Sequence, residues 1–176
     1  YQLVPEASVF FGVHKGFAPP SAELYQKPES SVNMELGTRV SAGNFKAELI
    51  GFYNNYSNML GSDLAASGGL GTLEQFNVGE ARVKGVEFLM QYQPLPEAWK
   101  VRMPLQVSYT YTDTEMRNSF SSHSWGNVMK GDEIPYIFKH ALNIQVGIEH
   151  KWFDANIGAR YNSDMRTSPG QGRIAE

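Results

Sequence analysis

From Val32 the chain places Val32, Met34, Leu36, Thr38 and Val40 on one face and Asn33, Glu35, Gly37 and Arg39 on the other. A period of two with one apolar and one polar or small face predicts a half-buried β-strand. The same texture recurs along the chain. It starts at Ala7 and runs through Ser8-Val9-Phe10-Phe11-Gly12-Val13 to Phe17, then gives way to a Pro-rich connection from Ala18-Pro19-Pro20 to Pro28. The strand that emerges at Ser31 ends in a tight turn, Ser41-Ala42-Gly43-Asn44, whose small and amide residues suit a reversal.

The next strand spans Phe45 to Ser57, and its apolar face is open: Ala47, Leu49, Gly51 and Tyr53 compete with Ile50, Phe52 and Tyr56. Asn58 to Glu74, rich in Gly, Ser and Ala, predicts a long loop. Phe76 to Gln93 follows as a strand with Val86, Phe88, Met90 and Tyr92 on one face, a pattern that Leu89 breaks. Pro94 to Met103 connects to the clearest alternation, Leu105, Val107, Tyr109 and Tyr111 against Gln106, Ser108, Thr110 and Thr112. A second long polar loop covers Glu115 to Glu133, and strand texture is expected again from Ile134, with His140, Leu142, Ile144, Val146 and Ile148 facing one way. After a short reversal at His150-Lys151-Trp152, residues Phe153, Ala155, Ile157, Ala159 and Tyr161 alternate with Asp154, Asn156, Gly158, Arg160 and Asn162.

Long connections alternate with short ones, and the strands exceed the ~5–6 residues usual in soluble sheets. A transmembrane β-barrel has both properties, with short turns at one end, long loops at the other and a wet interior. The reverse faces carry Glu, Gln, Asn, Ser, Thr, Arg and Gly, too polar for a sandwich core. The fold class expected is therefore all-β, an antiparallel up-and-down transmembrane β-barrel. About seven strands are legible, and an odd number with open edges in lipid would leave backbone groups unpaired. Residues 1–176 are accordingly expected to be part of a larger barrel domain that lacks its terminal strands.

Composition narrows the alternatives. With 15 basic and 18 acidic residues there is no cationic footprint for nucleic acid, which is dropped as a partner. Cysteine is absent, so disulfide frameworks and cysteine metal sites are excluded. No apolar run reaches the ~18 residues of a transmembrane helix, but a barrel strand needs only every second residue apolar. Aromatics make up 12% of the chain, which suits strands and interfacial girdles. Trp99 and Trp152 fall near short turns and Tyr109, Tyr111, Tyr136 and Tyr161 towards the opposite strand ends, as two aromatic belts would require.

Pro28-Glu29 followed by Val32-Asn33-Met34-Glu35-Leu36-Gly37-Thr38-Arg39 resembles the Pro-Glu-x-Ser-x-Asn-x-Glu-x-Gly segment of TonB-dependent outer-membrane receptors. Phe52-Tyr53-Asn54-Asn55-Tyr56, Asn77-Val78-Gly79-Glu80-Ala81 with Gly85-Val86-Glu87, Tyr109-Thr110-Tyr111-Thr112-Asp113, and Gly131-Asp132-Glu133-Ile134-Pro135-Tyr136 with His140 and Asn143 follow in family order. The series covers most of residues 5 to 165 and most resembles the ferric-dicitrate and ferric-siderophore branch. The resemblance implies a barrel of about 22 strands with an N-terminal plug. It also implies bacterial outer-membrane localisation, energising by a TonB complex, and import of an iron chelate. The plug, and with it the segment that meets the energising complex, has no counterpart in these residues. The lipid and lipopolysaccharide of the outer membrane are the other expected partners.

In such a receptor no bond is made or broken, so neither an enzyme nor a cofactor is expected. An anionic chelate would be captured by cations and aromatics at the loop bases. Arg117, His123, Trp125 and Lys130 in one loop, with Arg82 and Lys84 near the top of a strand, are the candidates by position. The plainer alternative is a solvated or lipopolysaccharide-facing loop. His14, His123, His140 and His150 lack ligand spacing, so no metal site is expected. Gly68-Gly69-Leu70-Gly71 has no Lys-Ser/Thr or helix start after it and is read as loop, not as a phosphate cradle. Two other classes stay open: an outer-membrane barrel enzyme, for which Asp113, Glu115, Asp132 and Glu133 would be the available acids, and a passive porin.

Overall fold

A computed structural model describes residues 1–20, 26–62, 75–123 and 125–174. The chain forms antiparallel strands β1 (Gln2–Val4), β2 (Ala7–Ala18), β3 (Glu29–Ala42), β4 (Phe45–Ser62), β5 (Gln75–Tyr92), β6 (Val101–Arg102), β7 (Leu105–Met116), β8 (Phe120–Ser122), β9 (Gly126–Val128), β10 (His140–His150) and β11 (Phe153–Asn162). One nine-stranded sheet runs β1-β2-β3-β4-β5-β7-β10-β11, with β6 joined to β10, and β8 and β9 make a separate hairpin. The seven long strands each pair with their sequence neighbours, so the connectivity is up-and-down. The sheet does not close on itself; among the described residues the β8–β9 hairpin is the one further sheet, and no long helix covers either face.

Cross-strand partners share a face, which settles the ambiguity of β4. Leu36 pairs with Gly51, Thr38 with Leu49 and Met34 with Tyr53, so Leu49, Gly51 and Tyr53 join the apolar face and Ile50, Phe52 and Tyr56 the polar one. Phe11, Val13, Phe17, Leu36, Ile144, Ile148, Phe153 and Ile157 are exposed on that apolar face, Ile157 by 75%. A soluble domain does not leave so large a contiguous patch bare.

This apolar band runs obliquely to the hydrogen-bonded rows. In β2 it extends up to Phe17, whereas in β10 it has moved down to Leu142–Ile148, the end nearest the short turn. The offset is what tilted strands of a barrel give when a horizontal belt cuts across them.

On the polar face, glycines let large side chains lie flat against the sheet. The ring of Phe10 occupies the space a Cβ would fill at Gly37, and that of Phe52 the space at Gly85. Arg39 stacks over Phe10 at 4.4 Å and forms an ion pair with Glu48.

Several boundaries differ from expectation. Residues 134–139 are irregular and β10 begins only at His140, because Pro135 and the positive φ of 62° at Tyr136 interrupt pairing. β4 continues to Ser62 through register shifts after Tyr56, with Asn58 at φ 52°, so the expected loop start at Asn58 is bulged strand. The expected polar loop at 115–133 contains the β8–β9 hairpin. The remainder of the first expected loop, residues 63–74 with Gly68 to Gly71, lies outside the described residues, as does 21–25 of the Pro-rich connection.

Candidate functional site

The buried hydrophobic core of the described residues gathers where the loop-side ends of β5 and β7 meet the loop that follows β7. Val78, Ala81, Met116, Trp125, Val128 and Ile134 cluster at the long-loop end, with Tyr56, Met59, Phe76, Val83, Phe120 and Ile137 packed around them. Ala81 pairs with Met116 on the polar face, so the loop of residues 117–139 folds inward over that face. Trp125 is 5% exposed and meets Phe76 edge-on, ring centroids 5.8 Å apart.

Backbone bonds fix the loop to the strand ends: Met116 N donates to Asp132 O at 2.9 Å and Gly131 N to Met116 O at 2.8 Å. Ile134 N donates to Thr114 Oγ1 at 3.0 Å, a buried bond that holds the loop's exit to β7. Asn118 lies against Gly79, whose φ of 94° only a glycine adopts without strain, and accepts a bond from Glu80 N at 2.6 Å.

Below this cap, the polar face forms a shallow depression of about 340 Å³ lined by His14, Asn33, Glu35, Phe52, Asn54 and Glu87, among others. Alternation already set Asn33, Glu35 and Glu87 opposite the apolar residues. The face of Phe52 and Asn54 stayed open because β4 carries apolar side chains on both faces.

The six residues singled out by position fall into three settings. Arg82 and Lys84 stand on the same face as Val86, Phe88 and Met90, turned away from the depression. There Arg82 pairs with Glu115, and Lys84 Nζ lies 3.4 Å from Asp113. Arg117 joins Glu115 at 3.1 Å, so the structure brings Arg82 and Arg117 together on one carboxylate. His123 and Lys130 are exposed, His123 at the tip of the β8–β9 hairpin and Lys130 in the turn after β9. Trp125 belongs to the buried cap.

Sequence position gave no hint of Arg173. Its guanidinium donates to Asp113 across sixty residues and to Thr114 O at 3.3 Å, clamping residues 163–174 onto β7. Burial alone would raise the Asp113 pKa, but the hydrogen bonds and charges of Arg173 and Lys84 outweigh it and hold the carboxyl below its ordinary range. On β5 and β7 Asp113 stands past the last apolar residues of this face, Val86 and Tyr111. Reciprocally, Asp113 raises the pKa of Arg173. Among the described residues no group of His, Asp and Glu has the arrangement of a metal site.

The family model "TonB dependent receptor-like, beta-barrel" matches residues 1–174. The pesticin receptor of Yersinia enterocolitica is 25% identical over 155 residues, which cover 83% of this chain and 21% of the receptor. The chain thus spans about a fifth of the length of the curated relatives it matches. Among solved structures, the ferric yersiniabactin uptake receptor of Yersinia pestis superposes with a TM-score of 0.61 at 21% identity, over 88% of this chain and 23% of that one.

Proposed function

The chain belongs to the TonB-dependent receptor-like β-barrel family, and from that membership we propose that it is one stretch of the wall of an outer-membrane receptor that imports an iron chelate with TonB-supplied energy. The observation that carries this reading is the single sheet with a bare apolar face and a polar reverse, set in a chain matched by the family over residues 1–174. Hydrocarbon would cover Phe11, Leu36, Ile144 and Ile157, and the depression between His14 and Glu87 would line the wet interior.

The family is one of transporters, which supports binding and passage over bond-making chemistry or passive diffusion. The ferric ligand in the name of the structural relative supports an iron chelate as cargo, whether siderophore or citrate. Arg117, His123 and Lys130, exposed on the cap, are the proposed first contacts for an anionic chelate. Trp125 would hold the loop that presents them, with its indole in the cap's core.

The test uses the full-length receptor in a strain without other ferric-chelate receptors. Labelled ferric siderophores and ferric citrate should compete for binding, and growth under iron limitation should depend on both receptor and TonB. Folded receptor that binds no ferric chelate would overturn the cargo assignment, and uptake without TonB would overturn the energised mechanism.

A further inference from the structure

The polar face of the sheet is not uniform in charge. On β2 to β5 it carries Glu35, Glu48 and Glu87 beside Arg39 and Lys46. On β7, β10 and β11 the same face offers hydroxyls and amides: Ser108, Thr110 and Thr112, then Asn143 and Gln145, then Asn156. The carboxylates of these strands on this face, Glu149 and Asp154, are confined to the row at the short turn, where they are paired in register and Arg102 holds Glu149 at 3.0 Å.

Arg160 is the one cation on this face of β7, β10 and β11 among the described residues. It is exposed two residues before β11 ends at Asn162, and its cross-strand partner is Asn143, which donates to Ser108 Oγ at 3.4 Å. Arg160 Nε donates to Asn162 Oδ1 at 3.4 Å, and among the described residues no carboxylate forms an ion pair with it. Asp154 stands at the far end of β11, about 20 Å away at the usual rise of a strand. Asp164, past the strand's end, and Lys139, before β10, line the cavity beside Asp113 and Glu133 instead.

A guanidinium keeps its charge at every physiological pH, so Arg160 is a fixed positive point near the long-loop end of an otherwise uncharged stretch of wall. Passage through a pore requires binding strong enough to draw a solute in and weak enough to release it. One guanidinium above a run of neutral donors meets both conditions. A row of cations would hold an anion, and a carboxylate would turn it back.

We propose that Arg160 is a specificity-determining residue of import, drawing the anionic chelate from the cap onto the carboxylate-free wall of β7, β10 and β11. The inference rests on the chelate-import reading above and adds to it the side of the interior along which the anion moves. Arg117 and Lys130 are exposed on the cap at the same end of the sheet, so capture there precedes transfer to Arg160.

The experiment uses the full-length receptor in a strain without other ferric-chelate receptors and separates binding to unenergised cells from TonB-driven uptake. The probes are labelled anionic ferric chelates: ferric citrate, a tris-catecholate and a phenolate. Arg160→Gln should leave binding unchanged and slow uptake about tenfold, the effect of losing one charge-assisted hydrogen bond. Arg160→Lys keeps the charge and should retain uptake. Gln145→Glu places a carboxylate on the neutral wall and should slow uptake likewise, whereas Ser41→Asp, the same charge on the polar face of β3, should not. Because Gln145→Glu leaves Arg160 in place, it carries the test even where Arg160→Gln fails to fold. Unslowed uptake in Arg160→Gln and Gln145→Glu, or equal slowing by Ser41→Asp, overturns the assignment while chelate import stands. Folded Arg160→Gln receptor that loses binding in step with uptake overturns it as well. An unaltered receptor that takes up none of the three chelates overturns both readings.

Discussion

Trp125 and Phe76 meet with their ring planes at 90° and centroids 5.8 Å apart, and this contact ties the second long loop to the start of β5. Trp125→Ala should open a cavity in the cap and cost about 3–5 kcal/mol of local stability. Proteolysis and hydrogen exchange of residues 119–134 in the full-length receptor should both rise. Unchanged protection would mean that the indole does not hold the loop.

Phe88 and Leu89 are neighbours on opposite faces, Phe88 beside Leu49 and Leu89 beside Glu48. Phe88→Arg should cost about 2–4 kcal/mol in a lipid-folding assay, the range for a cation near the middle of a barrel's lipid face. Leu89→Arg should cost little and gains Glu48 as a partner. Equal costs would refute the assignment of the two faces.

Gly85 has no room for a side chain: a Cβ there would overlap the Tyr111 carbonyl oxygen and lie 2.6 Å from the Phe52 ring. Gly85→Ala should therefore cost about 1–3 kcal/mol through displacement of β7 or the ring. Gly158→Ala, whose nearest neighbour would be Gln145 at 3.5 Å, should assemble normally. Heat-modifiable migration of the two variants on gels distinguishes these outcomes.

The clamp of Arg173 on Asp113 has a defined acid limit. Because the folded pKa of Asp113 lies below the ordinary value, its contribution is full above the unfolded pKa of about 3.9 and is lost as pH falls through the lower folded value. A spin label at Gln171 should stay immobilised from neutral pH down to about 5 and gain mobility below about 4. In Asp113→Asn the label should be mobile throughout. A transition near pH 6 would point to a histidine instead.

Much of the wall was legible from the sequence because strands with one apolar and one polar face repeat one rule, and β3 and β11 follow it from end to end and β7 as far as Thr112. β4 was not legible on its own. Ile50 and Phe52 are apolar on the polar face; pairing to β3 fixes which face they take, and pairing to β5 sets the Phe52 ring into the space at Gly85. The same missing register hid the orientation of Arg82 and Lys84: proximity to a loop says nothing about which side of a sheet a residue takes. Arg173 was beyond reach for a different reason, since its partner lies sixty residues away and no local pattern links them. The broken strand at 134–139 follows from Pro135 and the left-handed backbone at Tyr136, which a run of apolar side chains conceals.

Because the buried core is confined to the cap and the strand ends beneath it, the proposed membrane setting means that two different solvents hold this polypeptide together. Water-driven collapse secures Trp125 and its neighbours, whereas Ile144 and Ile157 gain nothing until hydrocarbon reaches them. Stripped of lipid, the ribbon would loosen first and the knot of loop residues last, so melting in detergent would proceed in two stages.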